Sequence, residues 1–355
     1  MLFTDTLWRL ASEHAGADEA IGFCRAAVGD PGLRPALATG IDLLRSASVV
    51  HLIGGGYVND LWPHHLGVVA AAGEAGRAAG ARVVATGQGF VPCGDAGRLA
   101  GALRDYDLVT VRDADSFELL TGTGVPVRHV ADDGWLALSA AGGVEAGDHP
   151  VYSSDPDACR DLVLCAQSDL VEPEVLAATV ARILAAWAVP GERITVVESI
   201  PGGDRVVWDR VFARAAAASG ADGARGGDGD DDEVGRALAD LRLPRARFVP
   251  FQELWATGLP ARPGQVWLTT RFHPHLFAAA RGASGVALRS GSAYYDVKHG
   301  SLLAAVSQWS SETADDGPRT VVSGVPAAGG IDPATVAELV EGAELLALEI
   351  YRPGR

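Results

Sequence analysis

SVVHLIGGGYVND, Ser48 to Asp60, sets the reading of the whole chain. A short, mostly apolar run from Ser48 to Ile53, too brief for a helix, passes into three consecutive glycines and a polar turn. A buried strand of a parallel sheet hands over to its crossover in this way. Working outward, the first half offers further strands at Arg82–Thr86, Leu108–Val111 and Val127–Val130. They end in GQGFVP (Gly87 to Pro92), RDADS (Arg112 to Ser116) and ADDG (Ala131 to Gly134). The second half restarts the pattern near Leu162–Ala166, Ile194–Glu198, Arg247–Pro250 and Val266–Thr270, with a short run at Gly285–Leu288. Ala-rich amphipathic stretches of helical length lie between the runs, so the expected class is α/β with parallel sheets.

A length of 355 residues suits two domains. The small-residue stretch AGGVEAGDHP, Ala141 to Pro150, marks the expected boundary, giving domains over 1–148 and 149–330. The remainder, 331–355, reads as a C-terminal helix from Asp332 to Tyr351 that can pack back on the first domain, with Asp332 and Pro333 as cap and first turn. SGADGARGGDGDDDE, Ser219 to Glu233, is almost free of apolar residues and is expected as a surface loop.

Composition narrows the function. With 48% apolar and 21% charged residues, no leader-like start and no apolar run of membrane length, the chain is expected in the cytoplasm without an integral membrane segment. A formal charge of −16 repels nucleic acid and anionic membranes. Four cysteines without CxxC spacing argue against a zinc site and a disulfide framework, and no metal is expected. Against this acidic background, Arg262 to Gly300 holds five basic residues and one acidic one, with His273, His275 and His299 among them. That island suits a small polyanion, or equally an ion-paired surface belt.

Ligands of open parallel sheets bind beyond the carboxyl ends of the strands. TTRFHPHLFAAARG, Thr269 to Gly282, is the richest such turn. If the strand runs to His273, alternation sets Thr269, Arg271 and His273 on one side, and Pro274 opens a helix whose free N–H groups face the same space. Arg271 then forks onto a phosphate or carboxylate; in the competing reading it pairs with a carboxylate across the domain seam. Tyr294 and Lys298 fall on one helical face, with Lys298 either adding charge to the cradle or pairing with Asp296. Asn59 and Asp60 of the glycine turn can hydrogen-bond sugar hydroxyls, or Asp60 can cap the next helix. Arg112 either reaches the cleft or pairs with Asp115 or Glu118. Asp132 and Asp133 are candidate proton acceptors or caps.

Taken in order, the GGG turn with its aromatic residue, the GQG turn with its proline, VRD with a serine, the DD turn, R-x-H and Y-x-x-x-K resemble the polysaccharide pyruvyl transferase family over Val49 to Leu303. The resemblance implies a GT-B-like pair of Rossmann-like domains whose parallel sheets face across a cleft. It implies a phosphoenolpyruvate-dependent transferase, without cofactor, that places a pyruvyl ketal on a hydroxyl pair of a carbohydrate. Arg271, Phe272 and His273, with Tyr294 and Lys298, would bind the donor; Gly55, Gly56, Tyr57, Asn59, Asp60, Gln88 and Arg112 would face the acceptor. His273 would serve as acid and Asp132 or Asp133 as base. Family members usually open with a strand and a glycine-rich loop, whereas this chain opens MLFTDTLWRLASEHAG, so the first domain is expected to be abbreviated at its start. A GT-B glycosyltransferase using a nucleotide sugar is the alternative, followed by a noncatalytic sugar-binding protein.

Overall fold

A computed structural model of the protein describes residues 4–139, 149–168, 171–219, 229–314, 324–326 and 329–352. The chain divides into two compact units, Met1–Leu136 with Leu339–Arg355, and Ala137–Glu338. The first division precedes the 148/149 position expected from composition, and most of Ala141–Pro150 lies outside the described residues.

In the first unit, helices α1 (Thr6–Ala11), α2 (Ala17–Gly29) and α3 (Ala38–Arg45) precede β1 (Val49–Leu52), α4 (Leu66–Ala79), β2 (Arg82–Gln88), α5 (Ala96–Leu103), β3 (Leu108–Val111), α6 (Ala114–Leu120) and β4 (Val127–His129). The four strands are all parallel and run in sequence order, β1-β2-β3-β4. Alternation divides their residues between two faces. Val50, Leu52, Val83, Ala85, Val109 and Val111 join a large core with α1 to α5. Val49, Val84 and Leu108 instead pack with Leu346 and Ile350. Those two belong to the C-terminal helix, Pro333–Tyr351, which is also tied to the sheet by Arg128 on Glu349 and by Arg82 on the Glu349 carbonyl.

The second unit contains β5 (Leu162–Cys165), α7 (Pro173–Trp187), β6 (Ile194–Val197), α8 (Arg205–Ser219), α9 (Gly229–Asp240), β7 (Arg247–Val249), α10 (Phe251–Thr257), β8 (Val266–Thr269), α11 (Phe272–Ala280), β9 (Ser284–Arg289), α12 (Ala293–Ala305) and β10 (Ser310–Thr313); the C-terminal helix, most of which belongs to the first unit, is α13. Its six parallel strands run β10-β9-β8-β5-β6-β7. Succession therefore reverses between β5 and β8, the doubly wound order in which a crevice opens beyond the carboxyl ends of the two strands at the reversal. Leu162, Leu164, Ile194, Val196, Leu268, Val286 and Leu288 supply one face of the core, against α7, α8 and α9.

Two expectations are corrected. The segment expected as a loop at 219–233 is helical at both ends, where Ser219 closes α8 and 229–233 open α9; residues between lie outside the described set. Val234 and Leu238 give α9 an apolar stripe against the core, followed by Leu241 just beyond the helix, which the polar run upstream conceals. The edge strand β10 escapes an apolar-run reading because SSET is polar. Among the described residues no helix is long and apolar enough to cross a membrane.

Candidate functional site

At the carboxyl ends of β1 and β2 the backbones approach closely. A Cβ on Gly54 would stand 2.6 Å from the carbonyl oxygens of both Thr86 and Gly87, so this contact requires glycine. The Gly54 amide then donates to Asp133 Oδ2 at 2.8 Å, and the Thr86 hydroxyl donates to the same oxygen at 2.6 Å. Burial raises the Asp133 carboxyl above its ordinary range, opposed by the Thr86 and Gly54 bonds. Asp133 thus pairs a raised proton affinity with fixed geometry, as a proton acceptor near neutrality needs.

Its neighbour is committed elsewhere. Asp132 accepts from Arg112 Nη1 at 2.6 Å and from the Gly134 amide at 2.7 Å, and both partners of the ion pair are buried. Arg112 therefore neither opens into solvent nor pairs along its own helix, and Asp132 is removed as a candidate base. A partner on the next strand's turn, brought alongside by the parallel register of β3 and β4, is invisible to local spacing.

Other residues expected on the acceptor side hold the turn together. Asn59 Nδ2 donates to the Gly56 carbonyl at 2.8 Å and its Oδ1 accepts from the Leu61 amide at 2.9 Å, so both ends of this buried amide are engaged within the turn. Gln88, fully buried, donates to the Leu52 and Thr86 carbonyls and ties β1 to β2. Asp60 caps no helix; its Oδ2 accepts from the Gly94 amide at 2.6 Å, binding this turn to the one after β2. Gly55 lies against the Tyr57 ring, where a Cβ would come within 2.2 Å of Cε1. The Tyr57 hydroxyl donates to the Ile53 carbonyl, its ring meets Trp8 edge-on, and burial pushes its ionisation up to about 12, so it is a protonated donor at neutral pH.

In the second unit the expected side-by-side display of Arg271 and His273 on one strand is overturned. Thr269 ends β8: its hydroxyl donates to the Cys165 carbonyl at 2.7 Å and accepts from the Arg271 amide at 2.9 Å, a side-chain turn that releases the backbone early. Arg271 is the extended N-cap of α11, Phe272 is its first, buried residue, and Pro274 falls in the first turn as expected. His273 is exposed at the second helical position, where its ring stacks on Phe277 one turn along.

Arg271 stands beyond β8, at the point where strand order reverses, with the Gln167 amide beyond β5 linked to the Thr270 hydroxyl at 2.8 Å. Its Nη2 donates at 2.6 Å to Asp204, whose other oxygen accepts from the Ser199 and Ile200 amides. The carboxylate expected across the domain seam is therefore one from the same unit. Asp204 escaped sequence reading because the PGGD turn after β6 has no charge pattern of its own. Arg271 Nε is buried and finds no protein acceptor among the described residues.

The basic island divides. Arg262 pairs with Asp161 before β5, and Arg281, which follows α11, lies over the Tyr152 ring. Arg289 ends β9, and Lys298 stands 3.3 Å from the centroid of the buried Tyr294 ring, so Tyr294 and Lys298 share a face of α12 as their spacing predicts. His275 and His299 are buried beneath the Thr270 turn, Nδ1 to Nδ1 at 3.0 Å, with Ser307 on His275 and the Thr270 carbonyl on His299. Burial, and then the neighbouring ring, hold His275 well below its ordinary ionisation range, so it stands as a neutral prop beneath the turn. Among the described residues no three His, Cys, Asp or Glu side chains converge to hold a metal ion.

Two all-parallel α/β units, one doubly wound with an arginine at its switch point, define the class of protein. The family model for polysaccharide pyruvyl transferase matches residues 6–189, just over half of the chain, and the chain belongs to that family. The matched stretch includes Asp133 and the turns of the first sheet; Arg271 lies beyond it. No curated protein matches the chain. Among solved structures the chain is similar to one described as a UDP-N-acetylglucosamine 2-epimerase from Listeria monocytogenes, with 12% identity, a TM-score of 0.45 and coverage of 95% of this chain and 81% of that one. It is similar also to Anabaena HepE in complex with UDP and glucose, at 13% identity and a TM-score of 0.41, covering 90% and 78% of the two chains.

Proposed function

We propose that the protein moves the pyruvyl group of phosphoenolpyruvate onto two hydroxyls of a sugar, forming a cyclic ketal and releasing inorganic phosphate. The observation that carries this reading is Arg271: a guanidinium fixed at the switch point of the second sheet by Asp204, with a buried Nε still lacking an acceptor. An incoming carboxylate or phosphate oxygen would complete it. Phe272 walls the turn, and Arg289 and Lys298 add positive charge at the same end of the sheet.

In the reaction a sugar oxygen bonds to C2 of the donor while its proton passes to Asp133. The methylene carbon C3 takes a proton from His273 and becomes a methyl. The second hydroxyl then bonds to C2, the bond from C2 to the phosphate oxygen breaks, and the remaining proton leaves with phosphate. Positive groups at the leaving phosphate and a base of raised proton affinity are what this sequence of steps requires.

Purified protein supplied with phosphoenolpyruvate and a panel of glycosides should release phosphate in step with a glycoside product carrying a ketal-linked pyruvyl by mass. No phosphate release, together with thermal stabilisation by a nucleoside diphosphate and none by phosphoenolpyruvate, would exclude the reading in favour of a nucleotide-sugar enzyme.

A further inference from the structure

The face of the first sheet that carries α13 is apolar at its amino end, where Val84 and Leu108 meet Ile350, and polar at its carboxyl end. Alternation places His51 on that face with Val49, and Thr86 with Val84. His51 Nδ1 lies 2.6 Å from the hydroxyl of Tyr351, near the end of α13, and His51 Nε2 lies 2.7 Å from Thr86 Oγ1. The Thr86 hydroxyl donates to Asp133 Oδ2. Its one proton being spent there, Thr86 must accept from His51, which fixes the Nε2–H tautomer and leaves Nδ1 to accept from Tyr351. Every donor in the chain thus points towards Asp133.

We propose that Tyr351, His51 and Thr86 are positioning residues for Asp133, binding Oδ2 from one side so that Oδ1, which takes no hydrogen bond from the described residues, is the oxygen that receives the acceptor proton. The last turn of the C-terminal helix thereby becomes part of the acceptor-side machinery. The inference rests on the reading of Asp133 as the base.

Geometry and electrostatics agree. The neutral state the chain requires of His51 matches its environment, where burial holds its ionisation down at about 4. The bond from Thr86 draws the Asp133 carboxyl down against burial. The other charged or titratable groups facing Asp133 are Asp132, which raises it, Arg112, which lowers it, and the phenols of the half-buried Tyr57 and the exposed Tyr351. Removing the Thr86 hydroxyl should therefore raise Asp133, whereas a purely structural loss would leave its titration in place.

The test uses the full-length protein with Thr86→Val, Thr86→Ser, His51→Gln and Tyr351→Phe. Thr86→Val should lower kcat by ~10-fold with KM for phosphoenolpyruvate unchanged, and move the acid limb of the kcat profile to higher pH. Thr86→Ser should restore both. Tyr351→Phe and His51→Gln should move the limb the same way by less. Carbon NMR of the Asp133 carboxyl, read without turnover, should titrate higher in Thr86→Val by the same interval as the limb. An active wild type whose limb and carboxyl titration stay fixed in Thr86→Val overturns this inference alone. A wild type that never releases phosphate from phosphoenolpyruvate overturns the proposed function and this inference with it.

Discussion

Arg112 and Arg271 leave their sheets in similar places, one and two residues past the end of a parallel strand, and each donates at 2.6 Å to an aspartate. They differ in what is left over. Arg112 has a side chain 2% exposed against a partner 4% exposed, and it closes the carboxyl end of a sheet whose strands run in sequence order. Arg271 is 15% exposed, its partner Asp204 keeps two backbone donors of its own, and it stands where strand order reverses. Topology accounts for the contrast. A sheet that continues in one direction lets each strand end be covered by the next turn, so its arginine becomes a bolt; a reversal parts neighbouring turns and leaves its arginine facing an opening. The same residue type after the same kind of strand is thus structural in one unit and, on the proposed function, a ligand group in the other.

The comparison breaks most easily at Arg112. Arg112→Met should destabilise the protein by about 3–5 kcal/mol, because Asp132 is stranded as a buried charge, and Arg112→Met with Asp132→Leu should recover much of the loss; denaturant melts measure both. Arg271→Ala should show the reverse balance, with kcat/KM falling by roughly 100-fold or more, equivalent to about 2.7 kcal/mol, while the melting midpoint moves little. If Arg271→Ala unfolds the protein as readily as Arg112→Met, the distinction between bolt and ligand group fails.

A second contrast sharpens with pH. Each unit holds a neutral histidine, the half-buried His51 in the first and the buried His275 in the second, with ionisation lowered mainly by desolvation. A lowered histidine contributes stability that is complete above its unfolded value of 6.5 and is lost as pH falls towards the folded value, which for His51 is about 4. Melts between pH 7 and pH 4 should show about 2–3 kcal/mol of loss from His51, and His51→Gln should flatten that part of the curve. The smallest expected effect is Tyr351→Phe, about 1 kcal/mol from one hydrogen bond, seen as earlier opening of the C-terminal helix in hydrogen exchange.

Strand positions were legible because parallel strands buried on both faces are written as apolar runs, and Leu108–Val111 was read to the residue. The end of β8 was not, because the Thr269 hydroxyl, rather than any glycine or proline, turns the chain there. For the candidate site, position at the carboxyl ends of the strands is enough to single out Arg271, Asp133 and Arg112 in the sequence. Partners were illegible: Asp132 for Arg112, Asp204 for Arg271 and Thr86 for Asp133 come from other strands or turns, and register supplies them. The tail of α13 is the extreme case, with Tyr351 bonded to a residue of the first strand.

Calorimetric titration of phosphoenolpyruvate into the wild type and into Arg271→Ala asks whether this guanidinium holds the donor. Saturable binding to the wild type is expected, weakened by roughly 100-fold in the variant. Equal affinity in the two proteins would contradict it, because the switch point of the second sheet would then have no part in holding the donor.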